Sequence, residues 1–259
     1  MLISNYNLSS FDTLSLLCLS ILVLPINLNR KLGTYLAGLI EGDGSIIVPS
    51  SLRDSKGRKQ AAHVEIEFAI EDLLLAKKLQ EVLSGGYINY RASSQSCRLV
   101  IKDNVTLLNV VNLINGCMRT PKIEALHRLI EWLNMTKKLT KPLVPLGLDT
   151  SPLSSNNWLS GILDADCHFY LNWKLDKNGF PTSLEYYMRI SQKREYSRES
   201  SMNKDFLPIM ESIAKFLDTK VTLIDRMRKH VSYRELAYLV RARAGGPGSR
   251  GGASLRPGS

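Results

Sequence analysis

The chain has 259 residues, 44% hydrophobic and 22% charged, with 34 Lys and Arg against 24 Asp and Glu for a net charge of +10. That is a globular composition with room for one large or two smaller domains, not a low-complexity or fibrous one. The basic surplus favours a polyanionic partner, nucleic acid before an anionic membrane; scattered Cys18, Cys97, Cys117 and Cys167, with no Cys-x-x-Cys pair and no histidine at ligand spacing, argue against structural zinc and against a disulfide framework.

Residues 14–24 form an apolar run stopped by Pro25. It is shorter than the ~20 residues that span a bilayer. With Asp12 ahead of it instead of basic residues, it makes a poor signal or transit peptide. An interfacial helix, a packing arm and the end of an upstream segment all fit. Residues 32–44 then read as a helix ended by Gly44, and 45–48 as a strand. A polar, basic loop (50–60) carries Arg53, Lys56, Arg58 and Lys59. Residues 63–68 alternate polar and apolar at period two, which predicts a half-buried strand. Asp72 is placed to cap a helix over 73–83, and strands follow at 87–90 and 97–101. Helices are predicted at 107–113 and 121–133, with Pro121 in the first turn. Residues 137–152, with three prolines, read as a linker.

The order then repeats: helix 158–166, strand 169–173, a turn with Lys174 and Lys177, strand 184–191, helix 207–217, and strands 221–224 and 236–240. Two short segments carry the repeat most clearly. Leu36-Ala-Gly-Leu-Ile-Glu-Gly-Asp-Gly44 and Leu159-Ser-Gly-Ile-Leu-Asp-Ala-Asp-Cys167 lie 159 − 36 = 123 residues apart. The strand 99–101 matches 238–240 at an offset of 139, which gives the second half loops longer by 139 − 123 = 16 residues. Past residue 243 the replay stops. Residues 244–259 are Gly/Pro/Ser/Arg-rich and aperiodic, a composition expected to be disordered.

Gly38 and Gly42 fall on one helix face, as do Gly161 and Ala165. Small residues at that spacing let two helix backbones approach closely. Packed together, the two repeats would bring Asp43 and Asp166 to one junction. A carboxylate at a helix C-terminus opposes the dipole, and two close carboxylates repel. Divalent cations would offset both costs, and an oxygen donor set without clustered His or Cys favours Mg²⁺. Paired metals on carboxylates are a recurring way to hydrolyse phosphodiesters. The competing reading is two amphipathic helices with ill-placed acidic caps, and finding the pattern twice weighs against it.

The two segments resemble the signature of the LAGLIDADG homing endonucleases in their fused, two-motif form. The stretches 118–132, 167–174 and 187–193 are similar to members encoded within group I introns of fungal mitochondrial genes, and the likeness runs over residues 32–241. It implies an α/β (α+β) pseudo-twofold fold with two αββαββα halves, antiparallel sheets forming a saddle over DNA, and the motif helices at the interface. It further implies that Asp43 and Asp166 bind catalytic Mg²⁺ beside the carbonyls of Gly42 and Ala165, and that Glu41 and Asp164 are not ligands. Lys122 would supply a basic group near the metal, and Gln192 a polar group that orients solvent. The resulting division is an apolar extension (1–30), a first half (31–136), a linker (137–156), a second half (157–243) and a tail (244–259).

This chain departs from that pattern in three places. Cys167 replaces a glycine after the second motif, which predicts a strained helix-to-strand turn. Ile70 aligns with Gln192, so the first half would lack that polar group. The counterpart of Lys122 would fall in the tail, leaving the second half without its closing helices. DNA contacts are expected from Arg53, Lys56, Arg58 and Lys59 in the first half, and from Lys174, Lys177, Arg189, Lys193 and Arg194 in the second. The expected function is a monomeric, mitochondrial, Mg²⁺-dependent endonuclease that cuts double-stranded DNA at a specific site and mobilises its own intron. The alternatives are a maturase that binds group I intron RNA without needing the carboxylates, and an inactive remnant.

Overall fold

The computed structural model describes residues 26–137, 139–196, 205–227 and 234–243. The apolar run at 14–24 and the tail at 244–259 lie outside the described residues, as does part of the loop after Arg194. No described helix is long and apolar enough to cross a membrane.

The first half runs α1 (Ile26–Asp43), β1 (Gly44–Ile47), β2 (His63–Ala69), α2 (Leu73–Leu83), β3 (Tyr87–Arg91), β4 (Ser96–Ile101), α3 (Asn104–Ile114) and α4 (Ile123–Thr136). The second runs α5 (Trp158–Asp166), β5 (Cys167–Leu175), β6 (Pro181–Lys193), α6 (Leu207–Phe216), β7 (Val221–Met227) and β8 (Arg234–Arg243). Each half holds a four-stranded antiparallel sheet, in the orders β1-β2-β4-β3 and β5-β6-β8-β7. Along β2 the period-two pattern does what it predicts: Val64, Ile66 and Phe68 are buried, while His63, Glu65 and Glu67 take the other face. The Asp103 carboxylate caps α3 by accepting the Thr106 amide at 2.8 Å. Asp72 makes no such bond, because a 3₁₀ turn (Ile70–Asp72) leads into α2 and changes the entry geometry.

Strand register revises the internal alignment. Gly44 pairs with Ile66 and Cys167 with Ile190, while Leu99 pairs with Ile66 and Val240 with Ile190. Val240 is therefore the counterpart of Leu99, at 240 − 99 = 141 rather than 139, and the second half is longer by 141 − 123 = 18 residues rather than 16. A shift of two keeps every side chain on its face, so alternation alone cannot detect it.

The predicted linker is fastened to the first half. The Asp149 amide donates to the Met118 carbonyl at 2.8 Å, and the Leu143 amide to Asn134 Oδ1 at 2.9 Å. Arg119 holds Asp149 in a buried ion pair at 2.9 Å.

The two sheets differ in what covers their inner faces. In the first half α4 packs on β1, and Ile46 is 4% exposed. Its counterpart 123 residues on, Phe169, is 80% exposed, and Leu171 and Trp173 on the same face are also exposed. Among the described residues no helix covers this face of β5 as α4 covers β1.

Candidate active site

The site begins where α1 and α5 cross. A Cβ on Gly38 would lie 2.2 Å from the Trp158 carbonyl oxygen, and one on Gly161 would lie 2.0 Å from that of Tyr35. A Cβ on Gly42 would meet that of Ala165 at 2.3 Å. At Gly38 and Gly161 the contacts are with backbone atoms, so glycine there sets how closely the helices approach. The helices pair symmetrically about these residues, and their C-terminal ends emerge together.

A reciprocal pair of hydrogen bonds locks the crossing. Trp158 Nε1 donates to Glu41 Oε2 at 2.5 Å, and Tyr35 Oη donates to Asp164 Oδ2 at 2.9 Å. Both donors and both acceptors are related by the motif offset, 158 − 35 = 164 − 41 = 123. The acids that precede the candidate metal acids by two positions thus tie each half to the other. Glu41 does more. Its carboxylate also accepts the amides of Arg119 (3.0 Å) and Thr120 (2.6 Å) and the Thr120 hydroxyl (2.6 Å). Burial raises its pKa, and the donors from Thr120, Trp158 and Arg119 pull it back. Glu41→Ala is expected to cost ~2–3 kcal/mol in urea unfolding. The variant orphans several buried donors, but it also removes the desolvation cost of the carboxylate itself.

Asp43 and Asp166 end α1 and α5 and line one open cavity of about 900 Å³, together with Gly42, Glu67, Lys122 and Gln192. Burial raises Asp43 to about 6, against the pull of Lys122 and with a further push from Glu67 and Asp72. Asp166 is raised to about 7, by burial first and then by Asp43, again opposed by Lys122. Gln192, on β6, donates to Asp166 Oδ2. By register its counterpart in the first half is Phe68 (192 − 124 = 68), not Ile70; the two-residue ambiguity noted above misplaced it. The first half thus carries an aromatic ring at the position where the second carries the amide that bonds Asp166.

Lys122 sits beneath the end of α1. Its Nζ donates to the carbonyls of Ile40 (3.1 Å), Glu41 (2.7 Å), Gly42 (3.3 Å) and Gly44 (3.0 Å). The ammonium thus neutralises the negative end of the helix dipole that Asp43 aggravates. Burial lowers its pKa, while Glu41, Asp166 and Asp43 raise it and Lys193 lowers it further. The expected strain at Cys167 is not found: the residue takes φ −90° and ψ 137°, ordinary extended backbone, and only its counterpart Gly44 lacks room, since a Cβ there would lie 2.6 Å from Ile40 Cα.

Among the described residues no three His, Cys, Asp or Glu side chains converge as a metal cluster. The donor set that fits a hard cation here is two carboxylates plus backbone carbonyl oxygens, completed by water and by phosphate. The cavity holding both carboxylates is polar and open, so there is space for those completing ligands.

The expected DNA contacts sit on loops and on outer sheet faces. Arg53, Lys56, Arg58 and Lys59 form an exposed hairpin tip, within which Arg53 Nη1 donates to the Gly57 carbonyl at 2.6 Å and Arg58 pairs with Asp54 at 2.7 Å. Lys174 and Lys177 are exposed at the far end of β5, and Lys193 is exposed at the end of β6. Arg194 lies 3.7 Å from the Glu195 carboxylate. Arg189 is half-buried on the outer face opposite His168, near the stacked rings of Tyr170 and Tyr187. The sequence reading missed an outer-face array in the first sheet: Arg98 bridges Glu67 (2.8 Å) and Glu65 (3.0 Å), with Arg91 3.8 Å from Glu67. Arg98 is the one charged residue in its strand, which was the available signal.

Comparison with known proteins bears on all of this. A family model described as LAGLIDADG endonuclease matches residues 36–133. The chain is 35% identical over 213 residues to intron-encoded DNA endonuclease aI3 of Saccharomyces cerevisiae, covering 76% of this chain and 50% of that protein. It is 23% identical to the intron-encoded RNA maturase bI4 of the same yeast, over 74% of this chain and 30% of the relative. The chain thus spans half or less of the length of these relatives. Among solved structures, I-GzeII in complex with its DNA target superposes with a TM-score of 0.53 at 12% identity, covering 82% of this chain and 78% of that one. I-SmaMI bound to uncleaved DNA with calcium gives 0.51 at 17%, covering 81% and 79%. At these identities the likeness shows the fold.

Proposed function

Because the chain belongs to the LAGLIDADG family of intron-encoded endonucleases and maturases, we propose that it is a monomeric, site-specific endonuclease that cuts double-stranded DNA in mitochondria and mobilises its intron. The observation that carries the proposal is the convergence of Asp43 and Asp166, one from each motif helix, in a single cavity. Asp43 and Asp166, with the carbonyls of Gly42 and Ala165, would hold Mg²⁺. When bound, the metal supplies a low-pKa water and charge neutralisation at phosphate. The protein's own residues position the reaction. Hydrolysis forms a bond from water oxygen to phosphorus and breaks the bond to the leaving sugar oxygen, which takes up a proton. Gln192 orients solvent beside Asp166. Lys122 keeps the end of α1 in place by holding four carbonyls. The outer sheet faces, with Arg53, Lys56, Arg58, Lys59, Lys174, Lys177, Arg189, Lys193 and Arg194, grip phosphates and read base edges.

Purified protein incubated with intron-lacking host DNA and Mg²⁺ is expected to cut both strands at one site. Absence of cleavage by folded protein would overturn the reading. The likeness to an RNA maturase supports a second reading, in which the same surfaces bind group I intron RNA. Splicing assistance that survives Asp43→Asn together with Asp166→Asn would select it.

A further inference from the structure

We infer that Lys193 supplies the second cation of the shared cavity and contacts the phosphodiester cut on the Asp166 side. The inference rests on the endonuclease reading above and extends it to a residue on β6.

The chemistry of the cavity calls for such a group. Its lining carries four acidic residues besides the buried Glu41: Asp43, Asp166, Glu67 and Glu195. A polyanion must enter this space. Lys122 is poorly suited to receive it, since its ammonium is committed to four backbone carbonyls under α1. Lys193 lines the same cavity and is exposed there. It is the last residue of β6, directly after Gln192, and the Gln192 amide bonds Asp166. Consecutive strand residues face opposite ways, so Lys193 reaches the cavity from the outer sheet face while Gln192 reaches Asp166 from the inner one. Lys193 lies close enough to Lys122 to lower the pKa of its ammonium, so the two charges act on one space. The first half has no such arrangement: by register the counterpart of Lys193 is Ala69 (193 − 124 = 69), and that half has Lys122 instead. The two halves thus use their lysines differently: Lys122, from the segment before α4, holds the end of α1, and Lys193, at the end of β6, is the one that meets the phosphate. A lysine on a flexible stem in the cavity lining suits a phosphate that arrives and leaves.

The test uses the full chain with Lys193→Ala and Lys193→Arg, a duplex carrying the cleavage site with each strand labelled separately, and Mg²⁺. Lys193→Ala is expected to slow cutting of one strand by about 10²-fold or more and the other by less than about tenfold. Lys193→Arg should keep both strands within about tenfold of wild type, since charge at phosphate is what matters. The melting temperature should not move with either variant, which separates a role at the substrate from one in folding. Cleavage of both strands by Lys193→Ala within about threefold of wild type overturns the proposal. So does an equal loss on both strands, which marks a general clamp. If wild type binds the duplex without cutting it, the endonuclease reading falls on that result. Lys193 is then judged by the salt dependence of binding to the same duplex. A slope reduced by about one in Lys193→Ala keeps the phosphate contact, and an unchanged slope overturns it.

Discussion

Gly161→Ala is expected to destabilise the protein by about 4 kcal/mol or more and to lower its melting temperature by roughly 10 °C. The added methyl would sit 2.0 Å from the Tyr35 carbonyl oxygen and 2.8 Å from the Leu39 amide nitrogen. Both are backbone atoms of α1, so no rotamer change relieves the clash and the helices must separate. Separation stretches Trp158 from Glu41 and Tyr35 from Asp164 at the same time. It also moves Asp43 away from Asp166, so the loss of stability should come with a loss of metal-dependent activity. Gly38→Ala should behave alike, because its methyl meets the Trp158 carbonyl oxygen at 2.2 Å. Gly147→Ala is the control: nothing lies within 4 Å of a Cβ there, and its cost should stay within about 0.5 kcal/mol. Thermal and urea unfolding of the three variants measures the contrast. A Gly161→Ala protein melting within about 3 °C of wild type would falsify the close-packed crossing.

The crossing was legible in the sequence because sterics leave few alternatives. Two segments with small residues four apart and a shared terminal acid have one economical arrangement, and Gly38, Gly42, Gly161 and Ala165 meet as that arrangement requires. The reciprocal locks were not read, although Tyr35 and Trp158 stand at the same offset as the motifs. An aromatic preceding a motif looks like core packing until the partner's acid is placed beside its donor atom. Errors of register had a different origin. Ile70 and Phe68 stand two apart, as do the alignments at 139 and 141, so the hydrophobic alternation supports each pair equally; in the structure Ile70 has already left the strand for a 3₁₀ turn. The Arg98 array needed register as well, since Glu65 and Glu67 come from a neighbouring strand. Electrostatic roles were the least legible. A lysine near a metal site in sequence gives no hint that its ammonium is spent on the carbonyls at the end of a helix.

Asp166→Asn is expected to abolish cleavage, by about 10³-fold or more, while making the metal-free protein more stable at neutral pH. The two effects have one cause. Burial and the neighbouring Asp43 raise the folded pKa of Asp166 to about 7, from 3.8. The folded state therefore binds the proton more tightly than the unfolded chain, and stability falls as pH rises from about 4 to about 7. Below that window the penalty is absent, and above it the penalty is complete. The shift corresponds to on the order of 4 kcal/mol at most, and water in the open cavity should reduce it to about 2. Asparagine keeps the shape and an acceptor for Gln192 but carries no charge, so the variant should melt higher than wild type at pH 7.5 and equally at pH 4.5. Divalent cation should reverse the order. Mg²⁺ binds the ionised pair in the folded state alone, so it should raise the wild-type melting temperature in a concentration-dependent way and leave that of the Asp43→Asn, Asp166→Asn double variant unchanged. Calorimetric scans at both pH values, with and without Mg²⁺, decide the matter. A variant that is less stable than metal-free wild type at pH 7.5, or a double variant that Mg²⁺ still stabilises, would show that these carboxylates are structural caps. The opposite result would mean that the chain tolerates two buried like charges at adjoining helix ends because the cation that offsets them is also the one that cuts DNA.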